Sequence, residues 1–244
     1  MKIKLDFSAM SKKQIIEYVW DYYKWYFIVF VLFIGILINI VYTNVTSKEY
    51  ILRGIFINST GEEAGEEIEQ SFREYSAIDT DQKDIFFDTS YYFSGDINSS
   101  YALESYETLQ VMNAKIVVGE VDFMVGDLNT MHDMAYRQYF LELSDVLEED
   151  ILKEITPHLI YYDKVFIEEL SNLDISENGK KAISYPDPRK PELMQEPIPV
   201  FIDVSFCEKL KDLYPYDTNE YVIALTINSS NIVKALEFIE FLME

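Results

Sequence analysis

From Trp25 to Ser47 the chain carries no charged residue, and the stretch is bracketed by Lys24 and Lys48. Phe27–Val41 reads FIVFVLFIGILINIV, apolar except for Gly35 and Asn39. About 20 such residues are what an α-helix needs to cross ~30 Å of hydrocarbon, whereas a core helix of that length would keep a polar face. The stretch therefore reads as a transmembrane helix over residues 25–47, in contact with the lipid bilayer. It leaves a juxtamembrane tail at 1–24 and a domain at 48–244. The run is too long for the apolar core of a signal peptide, and no A-x-A site follows it, so the expectation is a retained anchor. The only cysteine is Cys207, which argues against a lipid anchor.

Charge sets the expected orientation. The tail holds five lysines against three acidic residues, while the rest of the chain holds 15 Lys and Arg against 40 Asp and Glu, a net −25. The positive-inside rule places such a tail in the cytoplasm and the large domain outside. Trp20, Tyr22, Tyr23, Trp25 and Tyr26 crowd the inner edge, as an aromatic belt does. A charge of −25 excludes most nucleic-acid roles, which need clustered Lys and Arg, and disfavours docking on anionic lipid. One cysteine means no internal disulfide, so a domain of this size must rely on a hydrophobic core. Asn44, Asn58, Asn98 and Asn228 each open an N-x-S/T triplet. With few cysteines and no cleavable leader, the chain reads as bacterial and without glycans.

Residues 48–244 are the right length for one domain. Short β-rich runs at Ile51–Ile57, Ile85–Phe87, Val121–Val125, Val200–Val204 and Tyr221–Ile227 alternate with helical patterns. Those patterns cover Gly61–Tyr75, Ser100–Val118, Thr130–Tyr139, a short piece from Ser144, Glu148 to Pro157, Tyr161–Leu173, and a last helix through Ile232 and Leu242. Gly119 stands where a helix takes a left-handed cap. The alternation predicts an α/β domain, its central sheet mostly parallel and covered on both faces.

Three stretches carry a resemblance. Ala114–Asp127 (AKIVVGEVDFMVGD) has a helix–Gly–Glu–x–Asp–strand order, and Ala135–Leu147 (AYRQYFLELSDVL) pairs a tyrosine with a later Leu-Ser-Asp-Val. In Tyr221–Met243 a strand leads into Asn228-Ser-Ser-Asn231 and then Ala235, Phe238, Phe241 and Leu242. In this order they resemble the type 2 extracellular solute-binding proteins of ABC importers. Members of that family close two lobes on a ligand. Here only about 95 residues follow Leu147, and Pro197–Val204 is only some seventeen residues from Tyr221, so a second lobe of several strands does not fit. The resemblance implies a reduced, membrane-anchored relative with one lobe.

No motif for catalysis, metal or phosphate is present: there is no GxSxG elbow, HExxH helix or phosphate loop. Nothing places His132 or His158 with Cys207, as a Cys–His nucleophile requires. Asp79-Thr-Asp81-Gln-Lys-Asp84 opens like a calcium loop, but Lys83 replaces a ligand and Asp84 the turn glycine. The pairs Tyr91-Tyr92 and Tyr161-Tyr162 read as packing before sugar stacking. An open α/β sheet presents ligands at the carboxyl ends of its strands, which singles out Ser59, Tyr91 and Asp127. The expectation is a non-catalytic, membrane-tethered accessory domain without cofactor or metal, partnering an ABC permease or another envelope protein. The alternative is an extracellular receptor for a sugar or peptide.

Overall fold

The computed structural model of the chain describes residues 11–46, 48–79, 82–93, 102–172, 185–214 and 220–244. The Asn98–Ser100 triplet and Thr80 and Asp81 of the calcium-like loop lie outside them. The chain divides into two units, Met1–Lys48 and Glu49–Glu244.

In the first unit, α1 runs unbroken over Lys12–Thr46, about 52 Å at 1.5 Å per residue. Within it, Trp20–Thr43 is long and apolar enough to cross a membrane, its most apolar 18 residues having a mean hydropathy of 2.4 with none of them buried. This span opens five residues before the expected one.

The second unit is built on one six-stranded sheet. Its strands are β1 (Glu49–Phe56), β2 (Lys83–Asp88), β3 (Phe123–Asp127), β4 (Leu159–Asp163), β5 (Pro197–Asp203) and β6 (Tyr221–Leu225), in the spatial order β2-β1-β3-β6-β5-β4. The α-helices are α2 (Glu62–Tyr75), α3 (Ala102–Val117), α4 (Leu128–Tyr136), α5 (Glu149–Ile155), α6 (Lys164–Asn172) and α7 (Ile232–Met243). The five strands read from the sequence do share this sheet.

Two expectations are corrected. The sheet is mixed, not mostly parallel: β1 pairs in parallel with β2 and β3, while β3–β6, β6–β5 and β5–β4 are antiparallel. Alternation of strand and helix gives parallel order only where the helix carries the chain back over the sheet, which happens in β1–α2–β2 and β2–α3–β3. The segment Tyr161–Leu173 is not one helix either. Its start belongs to β4, where Ile160, Tyr161 and Tyr162 follow their β-propensity. At Asp163 the carboxylate accepts the Val165 N–H at 3.2 Å and α6 begins. The fifth strand also starts earlier than Val200. Pro197 and Pro199, which lack a donor, occupy the half of β5 that pairs only with β4.

Both faces of the sheet are covered. On one, Leu52, Phe56, Ile85, Phe87 and Phe123 meet Ile68 and Phe72 of α2 and Phe238 and Phe241 of α7. Phe238 stacks on Phe123 at 4.5 Å between ring centres and meets Phe72 and Phe87 at 5.1 and 5.0 Å. A Cβ on Gly54 would come within 2.1 Å of the Phe123 ring, so the aromatic layer needs glycine there. On the other face, Ile55, Met124, Val222 and Phe201 meet Met112 and Ile116 of α3, Met131 and Met134 of α4, and Ile167 of α6.

The outer edge of β2 is closed by α2. Glu69 accepts the Phe87 N–H at 2.5 Å, and Arg73 donates to the Ile85 carbonyl at 3.3 Å while pairing with Glu69 and Asp84. On β4, at the opposite edge, the Tyr161 N–H donates to the Pro188 carbonyl at 2.9 Å. Unpaired edge groups invite another strand, and here they are engaged.

Candidate functional site

The carboxyl ends of β1, β2 and β3 bring Ser59, Tyr91 and Asp127 to one edge of the domain, as the strand ends in the sequence imply. Asp127 and Tyr91 hold that edge together, while the Ser59 hydroxyl is buried there. Asp127 is the N-cap of α4, accepting the Thr130 N–H at 2.9 Å and its hydroxyl at 2.7 Å. It also accepts from the Asn58 carboxamide at 3.3 Å, and Asn58 Oδ1 in turn accepts the Phe93 N–H at 2.8 Å. Tyr91 is buried in the core, with Lys115 5.3 Å from its ring centre. Ser59 is 3% exposed, and its hydroxyl has no hydrogen-bond partner.

Between β1 and β3 the chain leaves β1 in one lateral direction and β3 in the other, and a crevice at such a point is where open α/β sheets take their ligands. Here Tyr214 fills it. Its side chain comes from the segment after β5, and its hydroxyl lies 3.0 Å from the Ile57 carbonyl and 3.1 Å from the Val125 carbonyl. Those are the carbonyls at which the β1–β3 ladder ends. The ring stacks on Tyr221 at 4.2 Å. Burial first, then the neighbouring Tyr221 and Asp127, push its ionisation far above the ordinary phenol range, so the hydroxyl stays a donor. The loop behind it is tied down, since the Thr60 N–H donates to the Leu213 carbonyl at 2.9 Å and the Thr60 hydroxyl to the Asp212 carbonyl at 2.5 Å. The sequence offered no signal for Tyr214, which sits in no periodic pattern.

The clefts are open to solvent and lined by polar and apolar groups alike. One, of about 680 Å³, runs between the start of α2 and the end of β2 and is lined by Glu62, Glu66, Glu69 and Asp88 with Tyr92. Another, of about 300 Å³, lies between Asn129, His132, Asp187, Arg189 and Glu220. Its Arg189 is held at 2.8 Å by Asp203 and 3.1 Å by Glu220. Tight ligand sites bury most of their ligand's surface; both of these clefts are too open for that.

His132 belongs to an aromatic group. Its Nδ1 lies 3.0 Å from the Tyr162 hydroxyl, and its ring meets Tyr136 and Tyr185 at 4.9 and 5.0 Å. Burial lowers its pKa and raises those of Tyr162 and Tyr136, so all three are neutral around pH 7. The Tyr161-Tyr162 pair separates: Tyr162 turns into this cluster and Tyr161 packs against the opposite core. The His158 ring lies tilted against Phe206 at 4.4 Å. The Cys207 thiol is buried and pushed up to about 11, which keeps it protonated and a poor nucleophile. Among the described residues, no three His, Cys, Asp or Glu side chains converge where they could hold a metal ion.

The three stretches that carried the family resemblance meet at the opposite edge, where β3 begins and β6 ends. Asp122, 1% exposed, accepts the Arg53 N–H at 2.8 Å, the Ser229 hydroxyl at 2.7 Å, and the Asn231 N–H and carboxamide at 3.2 Å each. Its carbonyl receives the Thr226 N–H at 3.1 Å, and the Thr226 hydroxyl donates to the Val121 carbonyl. The Leu141 N–H donates to Leu225, and the Ile227 N–H to Tyr139, both at 2.9 Å. Gly119 has φ +74°, and a Cβ there would lie 2.6 Å from the Asn228 carbonyl. These motifs are a junction of the fold. Comparison with family models, with curated proteins and with solved structures finds no match to the chain.

Proposed function

We propose that this chain is a membrane-tethered, non-catalytic interaction domain, its N-terminus cytoplasmic and residues 48–244 outside, serving as a single-lobed accessory partner of an ABC permease or another envelope protein. The observation that carries the reading is Tyr214. The place where an α/β sheet of this order would admit a solute is filled by the chain's own side chain, hydrogen-bonded to both flanking strands. A protein partner needs no such cavity. It needs exposed apolar anchors, and aromatic and Arg side chains supply most binding hot spots. Tyr50 and Phe86 stand exposed with ring centres 6.0 Å apart, and Arg53 lies 5.2 Å from the Tyr50 ring. With α1 ending at Thr46 and β1 beginning at Glu49, the tether is short, which raises the effective concentration of membrane partners.

Two experiments test the reading. Protease added to intact cells should remove residues 48–244 and spare the tail; protection of the domain would refute the orientation. A photo-crosslinking residue at Tyr50 or Phe86 in cells should repeatedly recover one membrane protein. Failure to do so, together with a saturable thermal shift by a sugar or oligopeptide that Asp127→Ala and Tyr91→Phe abolish, would establish the solute-receptor alternative.

A further inference from the structure

From the side chains along α1 we infer that the apolar helix pairs with the same helix of a second copy, through a stripe centred on Asn39. This rests on the proposal that α1 spans a bilayer. The helix ends its aromatic borders at Trp25 and Tyr26 on one side and Tyr42 on the other. Asn39 then lies five residues from the midpoint, about 7.5 Å at 1.5 Å per residue, well inside the ~15 Å half-thickness of the hydrocarbon. Every residue from Trp25 to Thr43 is exposed in the single chain. The Asn39 backbone carbonyl receives the Thr43 hydroxyl at 2.9 Å, but its carboxamide has no hydrogen-bond partner among the described residues. In lipid an amide without a partner costs several kcal/mol, since no water is present to replace one.

The spacing around Asn39 tells what would supply that partner. Trp25, Ile28, Leu32, Gly35, Asn39, Tyr42 and Thr46 recur at alternating steps of three and four, the seam of a left-handed helix pair. Gly35 is one turn before Asn39 on the same face, and nothing lies within 4 Å of a Cβ built on it, so a neighbouring backbone can approach there. A carboxamide both donates and accepts. Across a two-fold axis, one Asn39 therefore satisfies the other with the same residue, and a single Asn on such a seam fixes register and a two-stranded state. A second copy, inserted with the same orientation, always offers that group at the same depth. The span is otherwise featureless: no other Asn, Gln, Ser, His or charged side chain lies between Trp25 and Thr43.

The test uses the full-length chain in membranes, with Cys207→Ser so that an introduced cysteine is the only one. Leu32→Cys, on the stripe, should give a disulfide-linked dimer on mild oxidation, and Leu37→Cys, about 160° from Asn39 around the helix at 100° per residue, should not. Adding Asn39→Leu should lower the Leu32→Cys crosslink by about three- to thirty-fold, the range expected for an interhelical amide bond in lipid. Co-purification of two differently tagged full-length copies gives a second readout that needs no cysteine. Gly35→Ile and Asn39→Leu should lose the pairing and Leu37→Ile should keep it. Equal crosslinking at both positions, or a chain that resists carbonate extraction yet stays monomeric, overturns the pairing and leaves the membrane span standing. Release of the chain by carbonate overturns both.

Discussion

Replacing Asp122 tests whether the three motif stretches hold the fold together. The Asp122→Ala change removes the acceptor from four donors: the Arg53 and Asn231 N–H groups, the Ser229 hydroxyl and the Asn231 carboxamide. A buried donor left without a partner costs about 1–3 kcal/mol. Ser229 and Asn231 are partly exposed, and the Asn231 N–H keeps the Ser229 hydroxyl oxygen as an acceptor at 3.2 Å, so the Arg53 N–H dominates the loss. The expected loss is about 1–3 kcal/mol, a sizeable share of the roughly 5–15 kcal/mol that a domain has. Both tryptophans, Trp20 and Trp25, lie outside the domain. Urea unfolding of residues 48–244 is therefore best followed by far-ultraviolet circular dichroism. A double-mutant cycle with Asn231→Ala should be non-additive, because both changes remove the carboxamide–carboxylate bond. A loss under about 1 kcal/mol at unchanged denaturant slope, or simple additivity, would refute the argument that this junction is one hydrogen-bonded unit.

Other expectations follow from single features. Tyr214→Phe removes only the hydroxyl that bridges the ends of β1 and β3, and should cost about 1–2 kcal/mol in the same assay; an unchanged midpoint would show that the bridge is idle. Gly119→Ala forces an L side chain into φ +74° against the Asn228 carbonyl, and should lower stability by at least about 1 kcal/mol, measured by thermal melting. Burial raises the Asp163 carboxyl, but the Gln195, Glu196 and Val165 N–H groups outweigh it and hold it below its usual 3.8. A lowered carboxyl stabilises the folded state above its unfolded pKa and loses that contribution as pH falls through the folded value. Asp163→Asn should therefore flatten the fall in stability below about pH 4, read from urea midpoints across a pH series.

How far the sequence could be read depends on how local each signal is. The apolar run of α1 and the strands at Ile51, Ile85, Val121, Val200 and Tyr221 are written in consecutive residues, and they emerged with only their ends displaced. Strand direction is not local: nothing within Tyr221–Leu225 says that it runs against β3. The start of β4 was hidden because Tyr162, Phe166, Leu170 and Leu173 fall at helical spacing. Among site residues, Ser59, Tyr91 and Asp127 were found at the carboxyl edge because strand ends can be located from the chain. Their partners could not be. Asp127 bonds Asn58 across 69 positions and Tyr214 reaches Ile57 across 157. The stretches that resembled a binding protein stood out as motifs, but Asp122 meets Ser229 only after 107 positions, so the pattern gave no hint of its structural task.

The closed edges of the sheet acquire a further meaning once the domain is placed on a tether. Confinement to a surface turns three-dimensional encounter into two-dimensional crowding, and a helix pair would hold two sheets side by side for as long as it lasts. Under those conditions an open edge strand would act as a seed, each copy templating the next into a growing ribbon. Glu69 and Arg73 occupy outward groups of β2, and the Pro188 carbonyl takes the Tyr161 N–H of β4, so those groups offer nothing for a neighbouring copy to zip onto. Under the proposed tethering and pairing, assembly would then stop at the number set inside the membrane, and a higher density of the protein would not become a polymer.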